Sequence, residues 1–341
     1  MRRRGGYRSR LCALALLATP AWACGSRRAD DGEMALDLAL AVATIPEQDV
    51  VLWTATGDDR LESWWIRGNA IDSRPLAAAP GVVLPVGGRV WVWRAERIAV
   101  ALCDCEAWRA ADFDGPCPPS GETARGTYAR LEDLVTGDVL EVLPPPVTEG
   151  DGGPSFADFS FGMRPVGGVG PYLFVRGHEQ SLGCGAAHHS WAATFTVFDL
   201  VAGEPIELFD AAEREAIDAA EREAAFAVFG DGPLVAVRRA ADLELTVVEP
   251  YWTTGVGLRL RYQFTAGASF ADSDDNWGSY SRSVSVPARG LPAALLPFAA
   301  LPAALENTVL PGGEPRVAGM AVAEGTPGQI AALAAHFGRE D

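Results

Sequence analysis

Cys103, Cys105, Cys117 and Cys184 constrain this 341-residue chain more than any other feature. In an exported protein such a set is a disulfide framework before it is a metal site. Cys103 and Cys105 stand in a Cys-x-Cys arrangement, and same-face neighbours in a strand seldom bridge each other. Excluding that bridge leaves two patterns: Cys103 with Cys117 and Cys105 with Cys184, or Cys103 with Cys184 and Cys105 with Cys117. Either pattern staples the first half of the chain to the second, each bridge contributing about 2–4 kcal/mol in the chain-entropy view.

The start of the chain supplies the reason to expect export. Five arginines are followed by an apolar run from Leu11 to Ala18 and then by small residues up to Cys24. That order is a secretory signal, and the run is too short to span a bilayer. Ala23-Cys24-Gly25-Ser26 has the form of a bacterial lipobox, although Ala21 and Trp22 replace the usual Leu and small residue. Residues 1–23 are therefore expected to leave as a signal peptide, taking Cys12 with them. Cys24 is expected to carry lipid, and residues 24–45 to hold that anchor and a tether. An even set of four cysteines then remains for disulfides. The expected location is the cell envelope, on the outer or plasma membrane, facing periplasm or exterior.

Charge narrows the partners. Without residues 1–23, which hold five Arg and no acid, 23 basic residues face 45 acidic ones, a net charge of −22. This argues against nucleic acid and anionic membrane surfaces, leaves membrane contact to the lipid anchor, and favours a basic partner.

Between 50 and 143 the pattern is mostly strand: VVLWTA, GVVLPVGGRVWVWRA, RIAVALCDC and ARLEDLVTGDVLEVL, punctuated by Gly, Asp or Pro. PPPVTEGDGGP, residues 144–154, breaks the pattern, since it continues neither sheet nor helix. The expected organisation is a β-rich Trp-containing module over 46–148, an α+β domain over 149–310, and a C-terminal segment over 311–341. An internal echo crosses the break. DLVTGDVLEV from Asp133 and DLVAGEPIEL from Asp199 both read as hairpins, with Gly137 and Gly203 at the positive-φ position. Two such units suggest propeller blades, but a helix follows the second. It begins with Asp210 and Glu213 as a capping box and runs to Gly230, with Ile217, Ala220, Ala224 and Val228 as the expected apolar stripe. Strands return at LELTVVE, VGLRLRYQF and SRSVSVP. TPGQIAALAAHF closes the chain as a helix capped by Thr326, with Pro327 in the first turn and Gln329 completing a box. The expected fold class is α+β, mainly β: antiparallel sheets with one long helix packed on the C-terminal sheet. A propeller-like all-β fold is the alternative.

The order of elements over residues 165–295 resembles the extracytoplasmic domain of unknown function shared by RsiV-type lysozyme-responsive anti-sigma factors and PdaC-type peptidoglycan deacetylases. Gly185, Ala187 and His188 match that family's first turn, Asp199, Leu200 and Gly203 its hairpin, and Gly278, Val286, Pro287 and Leu291 its closing strand. Ala202 stands where the family has Thr, Cys184 and His189 are additions, and the loop before Gly278 is longer and more acidic. The resemblance implies a sensory or accessory module without catalytic residues of its own.

Chemistry-bearing residues weigh less. His188 and His189, if in a strand, point to opposite faces and cannot easily share one metal. Cys184 and His188 would lie about 13 Å apart if extended. Asp272, Asp274 and Asn276 occupy the first, third and fifth places of a calcium loop, but Trp277 sits where Gly is required and Ser283 where the bidentate Glu belongs. Trp64, Trp65, Trp91 and Trp93 are candidate ligand contacts, since aromatic platforms suit sugar rings or peptides, while core packing is the plainer reading. No cofactor is expected. The functional expectation is a non-catalytic binding or sensing module for a basic, lysozyme-like protein or for cell-wall glycan. The rivals are an envelope hydrolase using His188 with a carboxylate and a structural propeller-like lipoprotein.

Overall fold

Short apolar runs between Gly and Pro become strands that alternate their side chains between two buried layers. The computed structural model describes residues 49–55, 60–67, 77–142, 156–186, 189–229, 237, 239–253, 256–267, 281–300 and 317–338. The expected signal peptide, Cys24, the tether and the 144–154 break lie outside the described residues, as do Ala187, His188 and the whole 268–280 loop with its calcium candidates.

The strands are β1 (Val50–Ala55), β2 (Leu61–Ile66), β3 (Ala77–Pro80), β4 (Val83–Val86), β5 (Arg89–Cys103), β6 (Pro119–Asp133), β7 (Val139–Glu141), β8 (Phe156–Val169), β9 (Tyr172–Gly183), β10 (Ser190–Asp199), β11 (Glu204–Ile206), β12 (Glu244–Thr253), β13 (Gly257–Gly267), β14 (Ser281–Pro287) and β15 (Val317–Val322). The helices are α1 (Cys105–Ala110), α2 (Ala211–Phe229) and α3 (Pro327–Phe337), and a 3₁₀ turn covers Ala293–Phe298. The central sheet runs β3-β2-β1-β15-β8-β9-β10-β11. Most neighbours are antiparallel, but β15 lies parallel to β8, and β6 touches β8 in parallel at Gly126 and Phe161. The fold is thus α+β and mainly β, with a mixed rather than purely antiparallel sheet that does not close into a barrel. Its open path and α2 separate it from a propeller. Because β1 pairs with β15, segments from both sides of residues 144–154 share one sheet, and Ile45–Asp341 gathers into one unit.

The central sheet is covered on both faces. Val50, Leu52, Trp64 and Ile66 point into one core with Leu260, Tyr262 and Phe264 of β13 and Ile217, Ala225 and Phe229 of α2. Val51, Trp53 and Trp65 point the other way, into a second core with Leu84, Trp91, Leu131, Leu333 and Phe337. Where β15 crosses β8, Gly319 pairs with Gly168 under the Trp53 ring, and a Cβ on Gly319 would stand 2.1 Å from Trp53 Cε3 and 2.6 Å from the Gly168 nitrogen. Glycine is therefore required at this junction by close approach alone. A third, smaller cluster sits between the far end of the β5–β6 ribbon and β8, where Val100, Leu102 and Ala124 meet Phe159 and Phe161.

Both helix starts follow local rules, with corrections. Asp210 and Glu213 form the expected reciprocal box, at 2.9 and 2.8 Å. The buried stripe of α2 is Ile217, Glu221, Ala225 and Phe229 rather than the expected 217, 220, 224 and 228, and Val228 is 58% exposed. Phe229 outweighs the smaller Val228 in apolar area, which rotates the helix. The rotation carries Glu221 inward, where its Oε1 accepts the Arg289 N–H at 2.9 Å. Burial, with the Glu221 and Glu213 carboxylates nearby, pushes the Tyr262 hydroxyl above the usual phenol range. In α3 Thr326 caps the Gln329 N–H as expected, but the Gln329 side chain does not close the box. Fully buried, it accepts from the N–H of Glu324 and Gly325 and donates to the Arg89 carbonyl at 3.0 Å, tying α3 to β5.

The internal echo is real in three dimensions. Gly137 N–H bonds the Asp133 carbonyl and Gly203 N–H the Asp199 carbonyl, each at 2.8 Å, with φ of 80° and 75° at the two glycines. Each aspartate side chain also accepts backbone N–H groups of its own turn. Asp133 is completely buried and holds β5 as well, accepting from the Val90 N–H at 3.1 Å and from the Thr136 hydroxyl at 2.6 Å.

Candidate functional site

The chemistry-bearing residues gather at the end of the molecule where β5, β6, β9 and β10 turn. Of the two pairings open from sequence, the structure holds Cys103–Cys117 and Cys105–Cys184, with Cα separations of 5.7 and 5.4 Å. Both fall in the range a disulfide accepts without backbone movement. Cys103 ends β5, Asp104 caps α1 by accepting the Ala107 N–H at 2.9 Å, and Cys105 opens the helix. Cys184 lies in the β9–β10 turn, where Gly185 takes φ of 79° and the Ala186 N–H bonds the Gly183 carbonyl. The second bridge therefore pins the α1 loop to that turn.

Between Cys103 and Cys117 the closed loop projects an aromatic pair. The Trp108 indole donates to the Gly115 carbonyl at 3.1 Å, and its ring meets Phe113 edge-on at 5.2 Å. Asp112 and Phe113 both adopt the left-handed conformation, with φ of 55° and 58°. For residues with a Cβ this costs about 1–2 kcal/mol each. Phe113 does not recover that cost by burial, since it is 46% exposed. Asp104, Glu106, Asp112 and Asp114 lie in the same cysteine-bounded segment, with Arg109 as its basic residue.

Two of the histidines near this end, His178 and His189, fall among the described residues. His189 Nε2 meets Asp158 Oδ2 of β8 at 3.0 Å, half-exposed. On β9, His178 sits over Gly162, where a Cβ would come within 2.4 Å of its ring. Burial, then the positive charges of Arg176 and Arg164, hold its imidazole below the usual histidine range. Beside it, Phe161, Met163, Gly177, Glu179 and Thr194 line a shallow cleft of about 160 Å³. The sulfurs of Cys103, Cys117 and Cys184 all lie within 4.8 Å of one another, a spacing that thiolates could use for a metal. Bridged as they are, they offer no thiolate.

Trp64, Trp65 and Trp91 are not a ligand platform. They are 9%, 0% and 4% exposed and belong to the two cores, and the Trp64 indole donates inward to the Thr54 hydroxyl at 2.8 Å. Trp93 is half-buried against the second core. Alternation sends Trp64 and Trp65 to opposite faces as expected, but both faces of this sheet are covered. Of the family-type positions, Gly185, Asp199 and Gly203 shape turns, Val286 is in the first core, Leu291 packs against it, and Pro287 pairs with Arg261. Sequence reasoning did not single out Phe113. Its one signal was FDGP, an aromatic next to turn residues inside a cysteine-bounded segment.

No family model matches this sequence, and no curated protein matches it. Among solved structures, a member of the duf3298 family from Bacteroides fragilis is similar, with 11% identity and a TM-score of 0.26 over 60% of this chain and 92% of that chain. Among the described residues no helix is long and apolar enough to cross a membrane.

Proposed function

We propose that this chain is an exported cell-envelope lipoprotein whose disulfide-stapled tip binds a basic, lysozyme-like protein without doing chemistry on it. The observation that carries the reading is Phe113: an aromatic side chain held exposed in a left-handed backbone, inside a disulfide-closed loop whose sequence holds four acidic residues. Backbone strain that a fold does not need for packing concentrates at functional sites. Aromatic side chains are enriched among the residues that carry most of the binding energy at interfaces. The net charge of −17 for the whole sequence favours a cationic partner and fast, salt-sensitive encounter. The resemblance of residues 165–295 to the RsiV and PdaC domain agrees with a lysozyme-like partner.

Calorimetry of the chain against lysozyme tests this. Binding is expected at low ionic strength and should weaken as salt rises. Phe113→Gly is expected to reduce lysozyme affinity at least tenfold, about 1.4 kcal/mol. Because glycine accepts a positive φ, the same variant should keep or raise the melting temperature. A wild-type chain that binds neither lysozyme nor sedimented peptidoglycan sinks the reading. Peptidoglycan binding alone would move it to cell-wall glycan.

A further inference from the structure

The two disulfides touch. Cys103 Sγ lies 3.0 Å from Cys184 Sγ, although each is bonded to a different partner. They also differ in access: Cys103 and Cys117 are each 4% exposed, whereas Cys105 and Cys184 are half-buried at the surface. A thiolate from outside therefore reaches the Cys105–Cys184 bridge first. Exchange proceeds by thiolate attack on a disulfide sulfur, and access decides which bridge reacts.

We propose that the four cysteines form a thiol–disulfide exchange centre whose substrate is a protein dithiol, and that reduction entering at the outer bridge is relayed to the inner one. In the first step one thiolate of the dithiol attacks the Cys105–Cys184 bond and forms a mixed disulfide. The second thiol of the dithiol then attacks its own partner sulfur in that mixed disulfide. The dithiol leaves as a disulfide, oxidised by two electrons, and Cys105 and Cys184 are left as thiols. In the second step the Cys184 thiolate attacks Cys103, 3.0 Å away before any movement. A Cys103–Cys184 bond forms, the Cys103–Cys117 bond breaks, and Cys117 departs as the thiolate. This step transfers no net electrons. Its product keeps β5 stapled to the β9–β10 turn while the loop carrying Trp108 and Phe113 loses its closure. Two-electron reduction thus opens the aromatic loop without separating the two segments.

The test is partial reduction of the oxidised chain with one equivalent of dithiothreitol, an acid quench, alkylation with N-ethylmaleimide and peptide mass spectrometry. The expected result is that more than half of the label on these four cysteines sits on Cys105 and Cys117, with a Cys103–Cys184 cross-linked peptide. Label on Cys105 and Cys184 with Cys103–Cys117 intact overturns the relay. So does a native chain in which neither bridge reacts until it is denatured. The variant Cys105→Ser gives a second reading without reductant. It leaves one unpaired thiol among Cys103, Cys117 and Cys184, which the relay places on Cys117; a thiol trapped on Cys184 instead overturns it.

Discussion

Replacing Trp53 with alanine is expected to lower the unfolding free energy by about 3–5 kcal/mol. Trp53 is fully buried and fills the second core above the one place where β15 runs parallel to β8. Its ring lies over Gly168 and Gly319, which have no side chains to move into the void. The reverse change, Gly319→Ala, is expected to cost about 1–3 kcal/mol or more, since overpacking here meets backbone as well as a side chain. Combining the two should cost less than their sum. The clash with the ring disappears in the double variant, but the 2.6 Å approach to the Gly168 nitrogen remains. Urea unfolding with the disulfides intact measures all three, and strict additivity would refute the direct coupling inferred from this contact.

The second large effect is expected at Asp133. Removing its side chain in Asp133→Ala leaves the Val90 and Val135 N–H groups and the Thr136 hydroxyl without their acceptor, at a cost of about 3 kcal/mol. The equivalent Asp199→Ala removes bonds to Val201 and Ala202 in a half-buried turn where water can replace them, and should cost about 1 kcal/mol. Acid separates the two further. Burial acts to raise the Asp133 carboxyl, but hydrogen bonds from Thr136, Val135 and Val90 outweigh it and hold the group below its ordinary value of 3.8. A folded-state value below the unfolded one means stability that is fully present above about pH 4 and is lost as pH falls through the folded value. The stability gap between wild type and Asp133→Asn should therefore be widest near neutrality and shrink below pH 3.8. A gap that stays constant down to pH 3 would show that the charge itself contributes nothing.

Much of this architecture was legible locally. Alternation and turn residues located β1, β12, β13 and β14, and Asp210 with Glu213 marked the start of α2. The repeated Asp-Leu-Val-x-Gly marked two hairpins, because a side-chain acceptor and a positive-φ glycine are properties of four or five consecutive residues. The limits appeared where a residue's partner is distant. RVWVWRA and RIAVALC read as separate strands but form one, β5, because β6 pairs along almost its whole length. Gln329 looked like a cap residue, yet Arg89, 240 positions away, claims its amide. The candidate site was half visible. The cysteines announced a staple, but no local pattern showed that Phe113 would stand exposed inside it.

The chain's own residues were enough to establish a β-rich α+β protein, its two helix caps, its twin hairpins and a covalent link between its halves. Each of these rests on neighbours in sequence or on the limited chemistry open to four cysteines. Tertiary structure alone decided that the central sheet is covered on both faces, which turned Trp64 and Trp65 from a candidate binding surface into core. It decided as well which cysteines pair, and it left Phe113 exposed while Trp53, Trp64, Trp65 and Trp91 went into the core. The physical reason is the same in both cases: a strand's pattern says which residues share a face, while burial depends on what another part of the chain lays over it.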